Sequence, residues 1–142
     1  MPQPIPYLSF DGDCAEAMRF YAAVLGGTLG MMNVGQSPMS DQCPSEERER
    51  IMHARLALAD GSSLYGGDCM GGMAYQGQHG VSLTLNFDSV AEAERVFNAL
   101  GEGGEVTMPF ADTFWAKKFG MVKDRFGTHW IVNGELLELS LS

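Results

Sequence analysis

The segment AEAMRFYAAVL that starts at Ala15 returns as AEAERVFNALG from Ala91, and this repeat constrains the fold more than any other feature of the chain. Ala15, Glu16, Ala17, Arg19 and Ala23 recur as Ala91, Glu92, Ala93, Arg95 and Ala99, and Tyr21 falls opposite Phe97. Self-similarity of this kind means that one supersecondary unit is built twice. Each copy spaces its apolar residues three and four apart, as Met18, Tyr21, Ala22 and Leu25 and then as Val96, Phe97 and Leu100, which makes one apolar stripe on a helix. Asp13 with Glu16, and Ser89 with Glu92, have capping-box spacing, which satisfies first-turn amides that have no helical partner. Gly26-Gly27 and Gly101 supply the stops.

Strands flank both helices. Leu8 and Phe10 alternate with Tyr7 and Ser9, and Leu83, Leu85 and Phe87 with Ser82, Thr84 and Asn86, the period of half-buried strands. Further strand-like runs follow at 27–34, 50–59 and 62–66, then at 105–110, 119–124 and 128–133, with hairpin turns at Asp60-Gly61 and 124–127. Each half reads β-α-β-β-β, so the fold class is α+β. One helix cannot cover both faces of a sheet, so the bare faces must meet each other, meet another subunit, or enclose a cavity.

The 142 residues fit a single domain of two modules, about 1–66 and 81–134, joined by a glycine-rich linker at 67–80. No apolar run is long enough to span a bilayer, and the start has no basic and then apolar leader, so a cytoplasmic protein without membrane contact is expected. Cys14, Cys43 and Cys69 are odd in number and far apart, which argues for free thiols rather than a disulfide framework or zinc ribbon. A net charge of −9 repels a phosphate backbone and excludes nucleic acid as a partner. Against that charge, all of the lysines and both tryptophans gather in residues 112–130. Lysines there serve either as guards of an edge strand or as attraction for an anionic ligand.

Four stretches carry a family likeness: PYLSFDGDCAEAMRFY (6–21), MHARLALADGS (52–62), DTFWAKKFGMVKDRFGTHWIVN (112–133) and the helix after NFDS (86–89). Together they resemble the PhnB-like family of the vicinal-oxygen-chelate superfamily, which groups glyoxalases, bleomycin-resistance proteins and extradiol dioxygenases. The resemblance implies curled mixed sheets forming a cavity, and a homodimer. Metal-dependent members hold an ion with His, Gln or Glu on the first and last strands of the two modules. Carried over by strand phase, those positions fall at Ile5, Tyr65, Ser82 and Ile131, a set that does not suit a divalent cation. No standard metal centre and no cofactor are therefore expected, with a divalent metal at a non-standard site as the alternative.

His53 and Arg55 share a strand face opposite Ala54, Leu56 and Leu58, while His129 shares one with Ile131 and Asn133. If those faces line the cavity, the ligand-binding candidates are Tyr7, Arg55, Tyr65, Ser82, Asn86, Trp115 and Lys117, and the catalytic candidates are His53 and His129. The plainer reading of each histidine is a hydrogen-bonded strand residue without chemistry. Cys69 has no basic neighbour in sequence and reads as an inert thiol. Residues 65–80 form either a lid closed by Tyr65 and Tyr75 or a linker, and 112–118 read as a loop that brings Phe114, Trp115, Lys117 and Lys118 to the cavity mouth. Trp130 and Phe126 read as core, with Phe119 packing the closing hairpin. The function expected is binding of a small anionic or aromatic molecule; the alternative is a metal-dependent lyase, isomerase or dioxygenase. Labels carried by such sequences mention ubiquinone methyl transfer, but the chain is short for a doubly wound fold and has no glycine-rich strand-to-helix turn.

Overall fold

The computed structural model describes residues 2–38, 40–42, 45–69 and 74–138. Cys43 and the centre of the glycine-rich segment, 70–73, lie outside the described residues. The chain divides into two compact units, residues 1–77 and 78–142.

In the first unit, β1 (Tyr7–Phe10), α1 (Cys14–Leu25), β2 (Thr28–Asn33), β3 (Ile51–Ala57) and β4 (Ser63–Asp68) form a four-stranded sheet in the order β1-β4-β3-β2. In the second, β5 (Leu83–Phe87), α2 (Val90–Gly101), β6 (Glu105–Ala111), β7 (Ala116–Lys123) and β8 (His129–Leu136) give the order β5-β8-β7-β6. The repeat is thus one topology used twice. In each sheet the first and last strands pair in parallel and the others antiparallel, and two strand edges stay open.

Alternation decides what each helix covers. Leu8 and Phe10 from β1, Ala54 and Leu56 from β3 and Leu64 from β4 are buried together with Ala17, Met18 and Tyr21 of α1. Val122, Trp130 and Val132 are buried with Ala93, Val96, Phe97 and Leu100 of α2. The helix sits close on the second sheet at Gly120, where an added Cβ would lie 2.5 Å from the Phe97 ring. Trp130 and Phe126 are core, as their composition predicts, and Phe119 is half-buried on the opposite face from the helix.

Several local expectations are corrected. Asp13 makes no side-chain cap on α1; Asp68, at the end of β4, accepts instead from Gly12 N at 2.8 Å and Cys14 N at 3.1 Å, while its other oxygen takes Ile51 N at 2.8 Å. A carboxylate with both oxygens free to point at three amides satisfies more of the helix start than Asp13 could reach. Ser89 does cap α2 through Glu92 N, but the Glu92 carboxylate turns to Arg95 rather than completing a box. Gly101 is the last helical residue of α2, not its stop, and the chain leaves through Glu102. β4 runs past residue 66 into the glycine-rich segment, because Gly66, Gly67 and Asp68 pair with β1. β7 starts at Ala116, so Lys117 and Lys118 are strand residues and the intervening loop is only 112–115.

Candidate functional site

The two sheets each have a face turned away from the helix, and these faces differ. On the first sheet, Tyr7 of β1, His53 and Arg55 of β3 and Tyr65 of β4 stand on that face, since their neighbours in sequence are the residues buried under α1. Arg55 lies directly across from Tyr65, and Met32 across from His53. The His53 ring stands edge-on to Tyr65 with centroids 4.9 Å apart, and the Tyr7 ring, from the strand beyond Tyr65, lies 6.1 Å from His53. Tyr7 can lie down across the sheet because Gly67 has no side chain: a Cβ there would sit 2.5 Å from the Tyr7 hydroxyl. That hydroxyl donates to the Met52 carbonyl at 3.3 Å, and burial, followed by the charges of Cys14 and Asp68, pushes its pKa up. Tyr75 donates to the Ser9 carbonyl at 3.0 Å, so the descending segment is fastened at the edge of this face.

Arg55 is exposed, and no carboxylate among the described residues pairs with it. The Tyr65 hydroxyl likewise makes no hydrogen bond to any described residue. These are polar groups that the fold itself does not employ.

The second sheet uses its polar groups internally. Trp115 Nε1 donates to Asn133 Oδ1 at 3.0 Å, and Asn133 Nδ2 donates to Asn86 Oδ1 at 2.9 Å, a relay that crosses the face from the 112–115 loop to β5. Phe119 and Phe114 stand against Trp115 with centroids 4.6 and 4.9 Å away. Lys117 pairs with Glu135 at 2.8 Å and Lys118 with Asp112 at 3.0 Å. The hydrogen bond from Lys117, and then its charge, hold the Glu135 carboxyl below the usual glutamate range. Glu135 adopts a left-handed φ of 57°, which only a few per cent of non-glycine residues do. His129 stands opposite Lys123 on the face away from α2. Ser82 is exposed just ahead of β5, outside the paired register. A hollow of about 280 Å³ opens beside Asn86, Phe87, Asp88, Glu135 and Leu136.

Cys69 does have a basic neighbour, supplied by the fold rather than by the local sequence. Arg50 donates to the Cys69 carbonyl and to Asp11, both at 2.8 Å, and the Cys69 thiol lies 3.4 Å from the same Asp11 oxygen. Desolvation and the hydrogen bond to Asp11 outweigh Arg50, and the thiol pKa is raised rather than lowered. Cys14, buried beneath the sheet, is pushed up to about 12 by burial and then by the Asp68 charge. Neither thiol is activated.

The positions carried over from metal-dependent relatives do not suit a metal. Ile5 precedes β1 and Ile131 is aliphatic, while Tyr65 and Ser82 offer no imidazole or carboxylate. Among the described residues no group of three His, Cys, Asp or Glu stands together.

The profile of the family described as 3-demethylubiquinone-9 3-methyltransferase matches residues 2–133. Protein YjdN of Escherichia coli K12 is 37% identical over 139 residues, 90% of this chain and 92% of that protein. The crystal structure of protein PA1353 from Pseudomonas aeruginosa is 48% identical, covers 95% of this chain and 98% of its own, and superposes with a TM-score of 0.87. A PhnB protein from Bacillus cereus shares the fold at 22% identity, with 94% and 99% coverage and a TM-score of 0.74. So does a glyoxylase/bleomycin resistance protein/dioxygenase domain from Frankia, at 14% identity, 98% coverage of both chains and a TM-score of 0.62.

Proposed function

The chain belongs to the PhnB-like, 3-demethylubiquinone-9 3-methyltransferase family of the glyoxalase/bleomycin-resistance/dioxygenase superfamily, and from that premise we propose that it binds a small organic molecule on the open face of a sheet, without a standard metal centre. Membership in a fold family leaves the reaction open, so the proposal rests on the site. The observation that carries it is the first sheet's outer face, where Arg55 and the Tyr65 hydroxyl stand beside His53 and Tyr7 with no work to do in the fold. Polar groups left over on an aromatic face are what a ligand needs for orientation.

Methyl transfer by a doubly wound domain is disfavoured by topology. Each sheet here has one parallel pair, the turn from β1 to α1 contains the single glycine Gly12, and that from β5 to α2 contains none. Metal chemistry of the superfamily's usual kind lacks ligands at Ile5, Tyr65, Ser82 and Ile131. We also infer a homodimer, because each unit has one helix for two sheet faces and the edge strand β6 exposes Val106 and Met108.

A thermal-shift screen of small organic acids, amides and aromatics tests the binding reading. Saturable stabilisation without consumption of the compound is the expected result, and a complete absence of stabilising compounds contradicts it. Elemental analysis of protein purified without chelator is the companion measurement. One equivalent of divalent metal that survives dialysis would instead favour an enzyme and direct attention to His53 and His129.

A further inference from the structure

The chain has 18 acidic and 9 basic residues, yet none of the positions of β1 to β4 that face away from α1 is Asp or Glu. That face carries Arg55 and His53 instead. Alternation places Asp68, the one acid within these four strands, on the helix side, where backbone amides engage it. Four of the nine basic side chains pair with acids: Arg50 with Asp11, Arg95 with Glu92, Lys117 with Glu135 and Lys118 with Asp112. No strand carboxylate therefore offsets the Arg55 charge at short range, where screening by salt is least effective.

We propose that the outer face of the first sheet binds a planar organic carboxylate, with the carboxylate on Arg55 and the ring among Tyr65, His53 and Tyr7; this rests on the binding reading above and names its ligand class and place. A guanidinium offers two parallel N–H donors that match the two oxygens of a carboxylate. Arg55 is directly opposite Tyr65, and directly opposite residues have Cβ atoms only about 5 Å apart, so one small ligand spans both. The free Tyr65 hydroxyl is a further donor beside the anion. The His53 and Tyr65 rings, edge-on to each other at 4.9 Å, present a wall against which a flat ring packs in the offset or edge-on manner aromatic groups prefer. The equivalent face of the second unit does not qualify, since Trp115, Asn133 and Asn86 already bond to one another and Lys117 is neutralised by Glu135.

The probes are benzoate and its neutral isostere benzamide, titrated into the full-length protein while amide and ring resonances are followed by NMR. Benzoate is expected to bind saturably, with shifts at Tyr7, His53, Arg55 and Tyr65, and to bind about tenfold tighter than benzamide. Arg55→Gln should weaken benzoate about tenfold and leave benzamide unchanged, and Arg55→Lys should recover only part of the loss. Because Arg55 is exposed, the melting temperature of Arg55→Gln should match the parent, which confirms that folding is intact. Equal benzoate affinity in the parent and Arg55→Gln, shifts confined to the second unit, or no saturable benzoate binding at any tolerated concentration overturns the inference. A compound from the thermal-shift screen that binds regardless of Arg55 overturns the inference alone and leaves the binding reading standing.

Discussion

The two units share strand order and helix length, yet they start their helices and spend their polar groups differently. Asp68, from the last strand of the first unit, accepts from Cys14 N at the first helical residue of α1, whereas α2 is capped by Ser89, which accepts from Glu92 N. Asp68 does this from a buried position and serves three amides. Glu135, the acid in the last strand of the second unit, is more exposed, has a left-handed backbone conformation and pairs with Lys117. The outer faces diverge further, because the second sheet closes on itself through Trp115, Asn133 and Asn86 while the first leaves Arg55 and Tyr65 unengaged. The comparison teaches that a repeated fold need not satisfy its polar groups alike: one face joins donors to acceptors, and the other leaves them to solvent or, on the proposal above, to a ligand.

The strongest way to break that comparison is to remove the second unit's anchor. Trp130 is buried and donates to Asp124, which also receives Phe126 N and Thr128 N in the tight β7–β8 turn. Trp130→Ala should cost on the order of 3–5 kcal/mol in denaturant unfolding, the usual range for truncating a core aromatic. Asp68→Ala should follow at roughly 3 kcal/mol, because buried amides at the start of α1 and β3 lose their acceptor. Glu135→Gln should shift the midpoint far less than Asp68→Ala, since Glu135 is half-exposed and solvent reaches the groups it contacts. Equal effects from the two would show that burial does not separate these two carboxylates.

Trp115→Ala sharpens the comparison on the ligand side. Half-buried, with one hydrogen bond and two ring neighbours, it should cost on the order of 1–2 kcal/mol, well below Trp130→Ala, and should leave benzoate affinity within about twofold. A loss of benzoate affinity comparable to that of Arg55→Gln would move the site toward the second unit. The smallest expected effect is one of pH. Because Lys117 lowers the Glu135 pKa on folding, the stabilisation it brings is present above the ordinary glutamate value of 4.5 and fades as pH falls through the lowered folded value. Glu135→Gln should therefore flatten the acid limb of a stability-versus-pH curve slightly and leave the neutral region alone.

Much of this arrangement is visible in the sequence because it is local. The helical repeat at Ala15 and Ala91 rests on three- and four-residue spacing, and alternation alone sets His53 and Arg55 against Ala54 and Leu56. What escapes a sequence reading is contact between distant segments. Asp68 caps a helix that starts 54 residues earlier, Arg50 reaches Cys69 across 19 residues, and the relay from Asn133 to Asn86 spans 47. Strand β7 looked like a loop at 116–118 because Lys117 and Lys118 are adjacent charges, and charge obscures the alternation that pairing with β8 imposes. The left-handed Glu135 gives no local signal, since a glycine precedes it and would have been the residue expected to take that conformation.

The central claim is that ligand binding belongs to the face whose polar groups the fold leaves unused. The most direct measurement is residue-by-residue NMR mapping of benzoate on the intact protein, with the Asn86, Trp115 and Asn133 side-chain resonances observed in the same titration. The account predicts saturable shifts at Tyr7, His53, Arg55 and Tyr65 while the Trp115 indole and the Asn133 and Asn86 amides stay within experimental error. Shifts centred on Trp115, Asn133 and Asn86, with Arg55 and Tyr65 unmoved, would contradict it.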